Sequence, residues 1–159
     1  MSSGAALKPV APSLRPSLGG RSPFDPKVVS RAEAALQSLA GRFAEWLAEE
    51  LQKLDQAHAA VKKEGWTFLT AERLYLRAHD LKGLGTTYGF PIITRIAGSL
   101  SRLLGEERRM QAPMALVDAH IDAIKGVVRE DIRTEEHPVG GALAAELERS
   151  VEAHIAKLG

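Results

Sequence analysis

Leu74-Tyr75-Leu76-Arg77-Ala78-His79-Asp80-Leu81-Lys82-Gly83-Leu84-Gly85-Thr86-Thr87-Tyr88-Gly89 is the stretch on which the reading of this chain turns. Wound at about 100° per residue, it places Leu74, Ala78, Leu81, Leu84, Gly85 and Tyr88 in an arc of roughly 120° opposite His79. Arg77 is the one polar residue in that arc. On the histidine side fall Glu72, Tyr75, Lys82, Gly83 and Thr86, at helical spacings of three, four and seven residues from His79. The expected arrangement is a helix anchored by its leucines, with an imidazole facing outward and a cation one turn away.

Good helix formers surround this stretch. Asp25-Pro26 reads as a helix start, a capping carboxylate followed by proline in the first turn, and no further proline occurs until Pro91. Val28, Val29, Ala32, Leu36 and Leu39 make one apolar face, and Phe43, Trp46, Leu47, Leu51, Leu54, Ala57 and Val61 a second. These are two helices broken at Gly41 or one long helix with a weak point, and Gly65 is the stop. Thr67 or Thr70 can cap the helix that carries His79, and Gly89-Phe90-Pro91 ends it.

Pro91 opens a helix with Ile92, Ile93, Ile96, Ala97, Leu100, Leu103 and Leu104 as its apolar set. A charged loop from Gly105 to Ala112 leads to Pro113 and a helix with Val117, Ile121, Ile124, Val128 and Ile132 at spacings of three and four. A Pro138-Val139-Gly140-Gly141 turn is expected before a last helix, about residues 141–158, with Leu143, Leu147, Val151, Ile155 and Leu158. Consecutive helices joined by short connections pack as antiparallel neighbours. The expectation is therefore all-α: an up-and-down four-helix bundle with a core at about residues 42–134 and flanking helices at about 26–40 and 141–158.

Residues 1–24, rich in proline, glycine and serine, read as a disordered tail, because nothing in them builds an apolar face. Their only charges are Lys8, Arg15 and Arg21, so the rest of the chain, in a protein of formal net charge +1, is mildly acidic. That leaves no basic stripe for nucleic acid. The absence of cysteine excludes disulfides, thiolate catalysis and thiolate-held metals. No run reaches the roughly 18 apolar residues of a membrane span and no apolar leader is present, so a soluble, cytoplasmic protein is expected.

Ala78-His79-x-Leu81-Lys82-Gly83 followed by Gly89 resembles the motif of the histidine phosphotransfer (HPt) domain family: a histidine, then leucine, lysine and glycine two, three and four residues on, with a further glycine at ten. The resemblance, with its predicted bundle, covers roughly residues 42–134. It implies that His79 is phosphorylated, receiving a phosphoryl group from an aspartate of a response-regulator receiver domain and passing it to another within a two-component phosphorelay. It implies receiver domains and an upstream hybrid histidine kinase as partners, Mg²⁺ held by the receiver, and no metal or cofactor bound by this chain. A monomer is expected.

The residues themselves give a physical reason for that chemistry. Imidazole is in good part neutral at cell pH, leaving a ring nitrogen as nucleophile. Lys82 can offset the charge of a transferring phosphoryl group. Gly83 clears the space beside the imidazole, a use that offsets the cost of glycine in a helix, about 1 kcal/mol relative to alanine. Tyr75, Leu76 and Thr86 form the expected docking rim, with Phe68 either part of that rim or covered by the 26–40 helix; Leu81 and Gly89 are the structural members of the motif. The chain departs from the family pattern at Gly85, where serine or alanine is usual, implying looser last turns, and at Leu100-Ser101, where an acidic residue commonly follows the leucine.

His79-Asp80-Leu81-Lys82 also resembles the phosphoacceptor start of a histidine kinase, but the proline expected soon after is missing and Gly83 replaces a side chain. The stretch that follows is short for an ATP-binding domain, so that alternative is a dimeric bundle served by a separate kinase. A non-catalytic helical adaptor is the alternative from another class. No Walker or Rossmann glycine pattern occurs. Asp55 and His58, three residues apart, have no second acid-x-x-His pair to complete a bundle metal site. His58, His120, His137 and His154 read as ordinary surface or core residues.

Overall fold

The computed structural model describes residues 25–159, and the expected tail at 1–24 lies outside the described residues. Among the described residues five α-helices follow one another: α1 Pro26–Glu64, α2 Phe68–Leu84, α3 Pro91–Leu103, α4 Met114–Arg129 and α5 Pro138–Leu158, with a 3-10 turn at Arg109–Gln111. No strand occurs among the described residues, and none of their helices is long and apolar enough to cross a membrane.

The chain divides at Gly41 into two compact units. In the first, every side chain from Pro26 to Ala40 is exposed except that of Val28, which is half-buried. The helix runs through Gly41 without a break. A Cβ there would meet nothing within 4 Å.

The second unit holds the core. Leu47, Leu54, Ala57 and Val61 are the buried face of α1, which ends at Gly65 with φ +90°. Thr67 and Thr70 then cap α2 reciprocally: the Thr70 backbone N–H donates to Thr67 Oγ1 (3.1 Å) and the Thr67 N–H to Thr70 Oγ1 (2.9 Å). Pro91 sits in the first turn of α3, and Pro113 precedes α4. Leu74, Leu81, Ile93, Ile96, Leu100, Ile121 and Ile124 are fully enclosed. Each such side chain stabilises the fold by about 1.5–3 kcal/mol through burial.

Cross-helix polar contacts give the helix directions. Asp55 meets Lys125 (2.9 Å) and His58 meets Asp118 (2.7 Å), so α4 runs antiparallel to α1. Lys82 crosses Gly98 and Thr86 bonds Thr94, so α3 runs antiparallel to α2. Arg95 and Arg102 of α3 reach Glu148 and Glu152 of α5 in the same order, so α5 lies parallel to α3. It buries Ala144, Leu147 and Val151 against the core.

Two local expectations are corrected. Pro138 to Gly141 form the first turn of α5 rather than a turn before it, with the His137 ring accepting the Val139 N–H at 3.2 Å as a cap. Both glycines are needed there: a Cβ on Gly140 would stand 2.7 Å from the Ile132 side chain, and one on Gly141 would run into the Glu135 carbonyl. The second is the end of α2, expected at Gly89-Phe90-Pro91: the helix stops at Leu84, residues 85–89 are turn, and its cap is Gly85. The φ and ψ of Gly85 are −54° and −52°, and its N–H donates to the Leu81 carbonyl at 2.9 Å. The missing side chain serves close packing, since a Cβ would lie 2.7 Å from the backbone nitrogen and Oγ1 of Thr94.

Candidate functional site

Ala78 and Leu81 are fully buried and fix the rotation of α2, which leaves His79 exposed on the opposite face. Its ring lies 5.9 Å, centroid to centroid, from that of Tyr75 one turn earlier, at an angle of 36°. His79, Asp80, Gly83 and Leu84 line a surface hollow of about 300 Å³. Nothing lies within 4 Å of the point where a Cβ on Gly83 would stand, so the backbone is bare beside the imidazole.

Lys82 is exposed, and its aliphatic stem lies along Gly98 of α3. It borders a second hollow of about 400 Å³ with Thr94, Arg95, Gly98, Ser99, Arg102, Glu148 and Glu152. Arg95 donates to both carboxylate oxygens of Glu148, at 2.8 and 2.7 Å. Those hydrogen bonds hold the Glu148 carboxyl below the usual carboxylate range. Arg102 and Glu152 pair in the same way, which leaves two arginines of this hollow engaged.

The remaining motif residues lie as follows. Leu81 is in the core. Thr86 is exposed; its backbone N–H donates to Thr94 Oγ1 at 3.0 Å, and the two hydroxyls lie 3.1 Å apart. Gly89 has φ +89°, a conformation glycine adopts without strain. The space a Cβ would take there is occupied by Arg133 Nη1 at 2.8 Å, which donates to the Gly89 carbonyl.

Tyr75 is half-buried against the core, whereas Leu76 is 45% exposed and Phe68 47% exposed. Leu76 edges a hollow between α1 and α2 that Lys53, Arg73 and Arg77 also line. Arg77, placed on the anchoring side by helix geometry, is only partly buried: its guanidinium reaches Asp80 at 3.6 Å instead of entering the core. Leu84 and Tyr88, also expected as anchors, are half-buried, with Tyr88 in an aromatic cluster with Phe43 and Trp46.

His58 and His120 have identifiable structural settings, whereas His154 Nε2 is buried without a hydrogen-bond partner. His58 pairs with Asp118, and Asp55 with Lys125, so the two residues considered as ligands point to different partners. His120 is fully buried. Its Nδ1–H donates to the Leu116 carbonyl at 2.7 Å, and Nε2 lies 2.9 Å from the Ser99 hydroxyl.

Arg109 and Gly98 are the residues near this face that periodicity does not reveal. Arg109, in what reads as a charged surface loop, is 4% exposed and lies over the rings of Phe68 and Tyr75. Only the packing of the 3-10 turn on α2 brings it there; no local signal in the sequence points to it. Comparison with protein-family models, with curated proteins and with solved structures returned no significant match.

Proposed function

We propose that the chain is a phosphoryl carrier of the histidine phosphotransfer type, working between receiver domains of response regulators in a phosphorelay. The observation that carries this reading is the bare, outward helix face on which His79, Lys82 and Gly83 stand together. In the reaction, a ring nitrogen of His79 attacks the phosphorus of an aspartyl phosphate. The phosphorus–oxygen bond to the aspartate breaks, and the carboxylate leaves with the electron pair. The reverse step delivers the group to another aspartate.

Lys82 offsets negative charge on the phosphoryl group in flight, and on the phosphohistidine, without forming a bond to it. Gly83 lets the receiver's acidic pocket, which brings the Mg²⁺, close over the imidazole. Phe68, Tyr75, Leu76 and Thr86 form the rim on which the receiver docks, an apolar edge beside a charged centre. The chain supplies the nucleophile and its surroundings; the receiver supplies the metal and the acids.

The test is transfer of labelled phosphate from a panel of phosphorylated receiver domains, with His79→Gln as control. Acid-labile, alkali-stable labelling of the wild type that vanishes in His79→Gln is the expected result. Labelling that persists in His79→Gln, or none from any receiver, would overturn the assignment.

A second reading, a dimeric phosphoacceptor bundle served by a separate kinase, has one observation in its favour. Val29, Leu36 and Leu39 are exposed at helical spacing in the first unit. Sedimentation of the full chain separates the two readings, since the carrier is expected as a monomer.

A further inference from the structure

Arg109 is a cation in a place where cations are expensive. A buried charge needs compensation from neighbours that replace lost water, and here that compensation has a definite shape. The guanidinium carbon lies 5.0 Å from the centroid of the Phe68 ring and 5.2 Å from that of Tyr75. Both contacts are within the range of a cation–π interaction. One edge is anchored, Nε–H donating to the Leu104 carbonyl at 3.1 Å. Nη1 is buried without a hydrogen-bond partner, 3.8 Å from Glu72 Oε2. The backbone of Arg109 is held as well, its carbonyl accepting the Trp66 Nε1–H at 3.0 Å.

Phe68, Glu72, Tyr75 and His79 follow one another at spacings of four, three and four along α2, so they form one stripe of its surface. The guanidinium is therefore set against the first three members of the stripe whose fourth is His79. An apolar side chain of similar length would fill the space without the cost of a charge. A guanidinium differs from it in being planar, with two faces that fix the rings lying against them.

We propose that Arg109 is a positioning residue for the His79 face: it holds the Tyr75 ring in place beside the imidazole and so sets the rim that an incoming receiver meets. This role rests on the phosphotransfer reading, but its structural half is measurable without any phosphate. Arg109 itself touches no reacting atom.

The experiment uses the full chain as wild type, Arg109→Met, Arg109→Lys, Tyr75→Ala and the Arg109→Met/Tyr75→Ala double variant. The first readout is the through-space NMR contact between the Tyr75 and His79 ring protons in the unphosphorylated protein. It is expected in wild type and lost in Arg109→Met with helicity kept. Arg109→Lys retains the charge but lacks the plane, so it is expected to lose the contact too, and it serves if the methionine variant does not fold. An unchanged ring contact in a folded Arg109 variant would overturn the proposal.

The second readout is the transfer rate against receiver concentration. Arg109→Met is expected to raise the half-saturating concentration by roughly three- to tenfold, the scale of one cation–π contact, with a smaller change in the limiting rate. In the Tyr75→Ala background the same substitution is expected to add nothing. Additive losses would show that Arg109 does not act through Tyr75, and would overturn the proposal. A wild type that accepts no phosphate would defeat the phosphotransfer reading instead, since the ring contact is read independently of it.

Discussion

The stem of Lys82 rests on Gly98: its Cγ, Cδ and Cε lie 3.7 to 3.9 Å from the point where a Cβ on that glycine would stand. That is ordinary van der Waals contact, so alanine fits at position 98. A longer side chain enters the path of the lysine. Gly98→Ala is expected to transfer phosphate at the wild-type rate, whereas Gly98→Leu should displace Lys82 and slow transfer about as much as Lys82→Ala does. Rates measured against one receiver check this, with circular dichroism to confirm retained helicity. Equal rates for Lys82→Ala and wild type would refute an electrostatic role for the lysine.

Gly83 and Gly85, two residues apart, are expected to respond to alanine in opposite ways. At Gly83 an added Cβ meets nothing, so alanine should stabilise α2 by up to about 1 kcal/mol through its better helix propensity. The same methyl group lies one turn on from His79 on the same helix face, and should slow transfer by obstructing an approaching receiver. At Gly85 it would stand 2.7 Å from the Thr94 backbone, and overpacking should cost roughly 1–3 kcal/mol. Urea unfolding of the two variants, paired with transfer rates, checks both signs.

His120 makes stability depend on mild acid. Burial lowers its pKa from 6.5, and the hydrogen bond to the Leu116 carbonyl opposes this in part. The folded state therefore keeps the ring neutral where the unfolded chain takes up a proton. Stability is retained above about pH 6.5 and falls as the pH drops below it, by at most about 1.4 kcal/mol per pH unit for a single group. His120→Gln should reduce this slope when denaturation midpoints at pH 7.5 and pH 5.5 are compared. An unchanged slope would assign the effect to other groups.

The Arg95–Glu148 pair ties α5 to α3 and acts lower on the pH scale. The Glu148 carboxyl is held below its ordinary value of 4.5, first by hydrogen bonds from Arg95. Its contribution is present above about pH 4.5 and is lost as the pH falls through the lowered value. Both side chains are partly exposed, so solvent screening limits the contribution to about 1 kcal/mol or less. Glu148→Gln should lower the thermal midpoint slightly at pH 7, and the difference from wild type should shrink toward pH 3. A difference that persists at pH 3 would point to lost packing rather than lost charge.

The helices and several of their ends were legible because their signals are local, but α2 stops at Leu84 and not at Gly89-Phe90-Pro91. Thr67 and Thr70 are close enough in sequence to cap α2 between them, Pro91 and Pro113 mark starts, and Gly65 marks a stop. The rotation of α2 followed from spacing alone, since burying Leu74, Ala78 and Leu81 turns His79, Lys82 and Gly83 outward. At Pro138 the local reading failed. Proline and glycines signal a turn or a first helical turn equally well, and only the chain around Ile132 and Glu135, lying against Gly140 and Gly141, separates the two.

The sequence by itself thus determined an all-helical arrangement of the described residues with one histidine on a bare helical face, because periodicity and capping depend on neighbours within one or two turns. Tertiary structure decided what surrounds that histidine. The Arg109 guanidinium over the Phe68 and Tyr75 rings, the Gly98 seat of Lys82, the Thr94 backbone against Gly85 and the enclosure of His120 with Ser99 each join residues from different elements. Which residues meet there depends on how the helices abut, and no one helix carries that information in its own pattern.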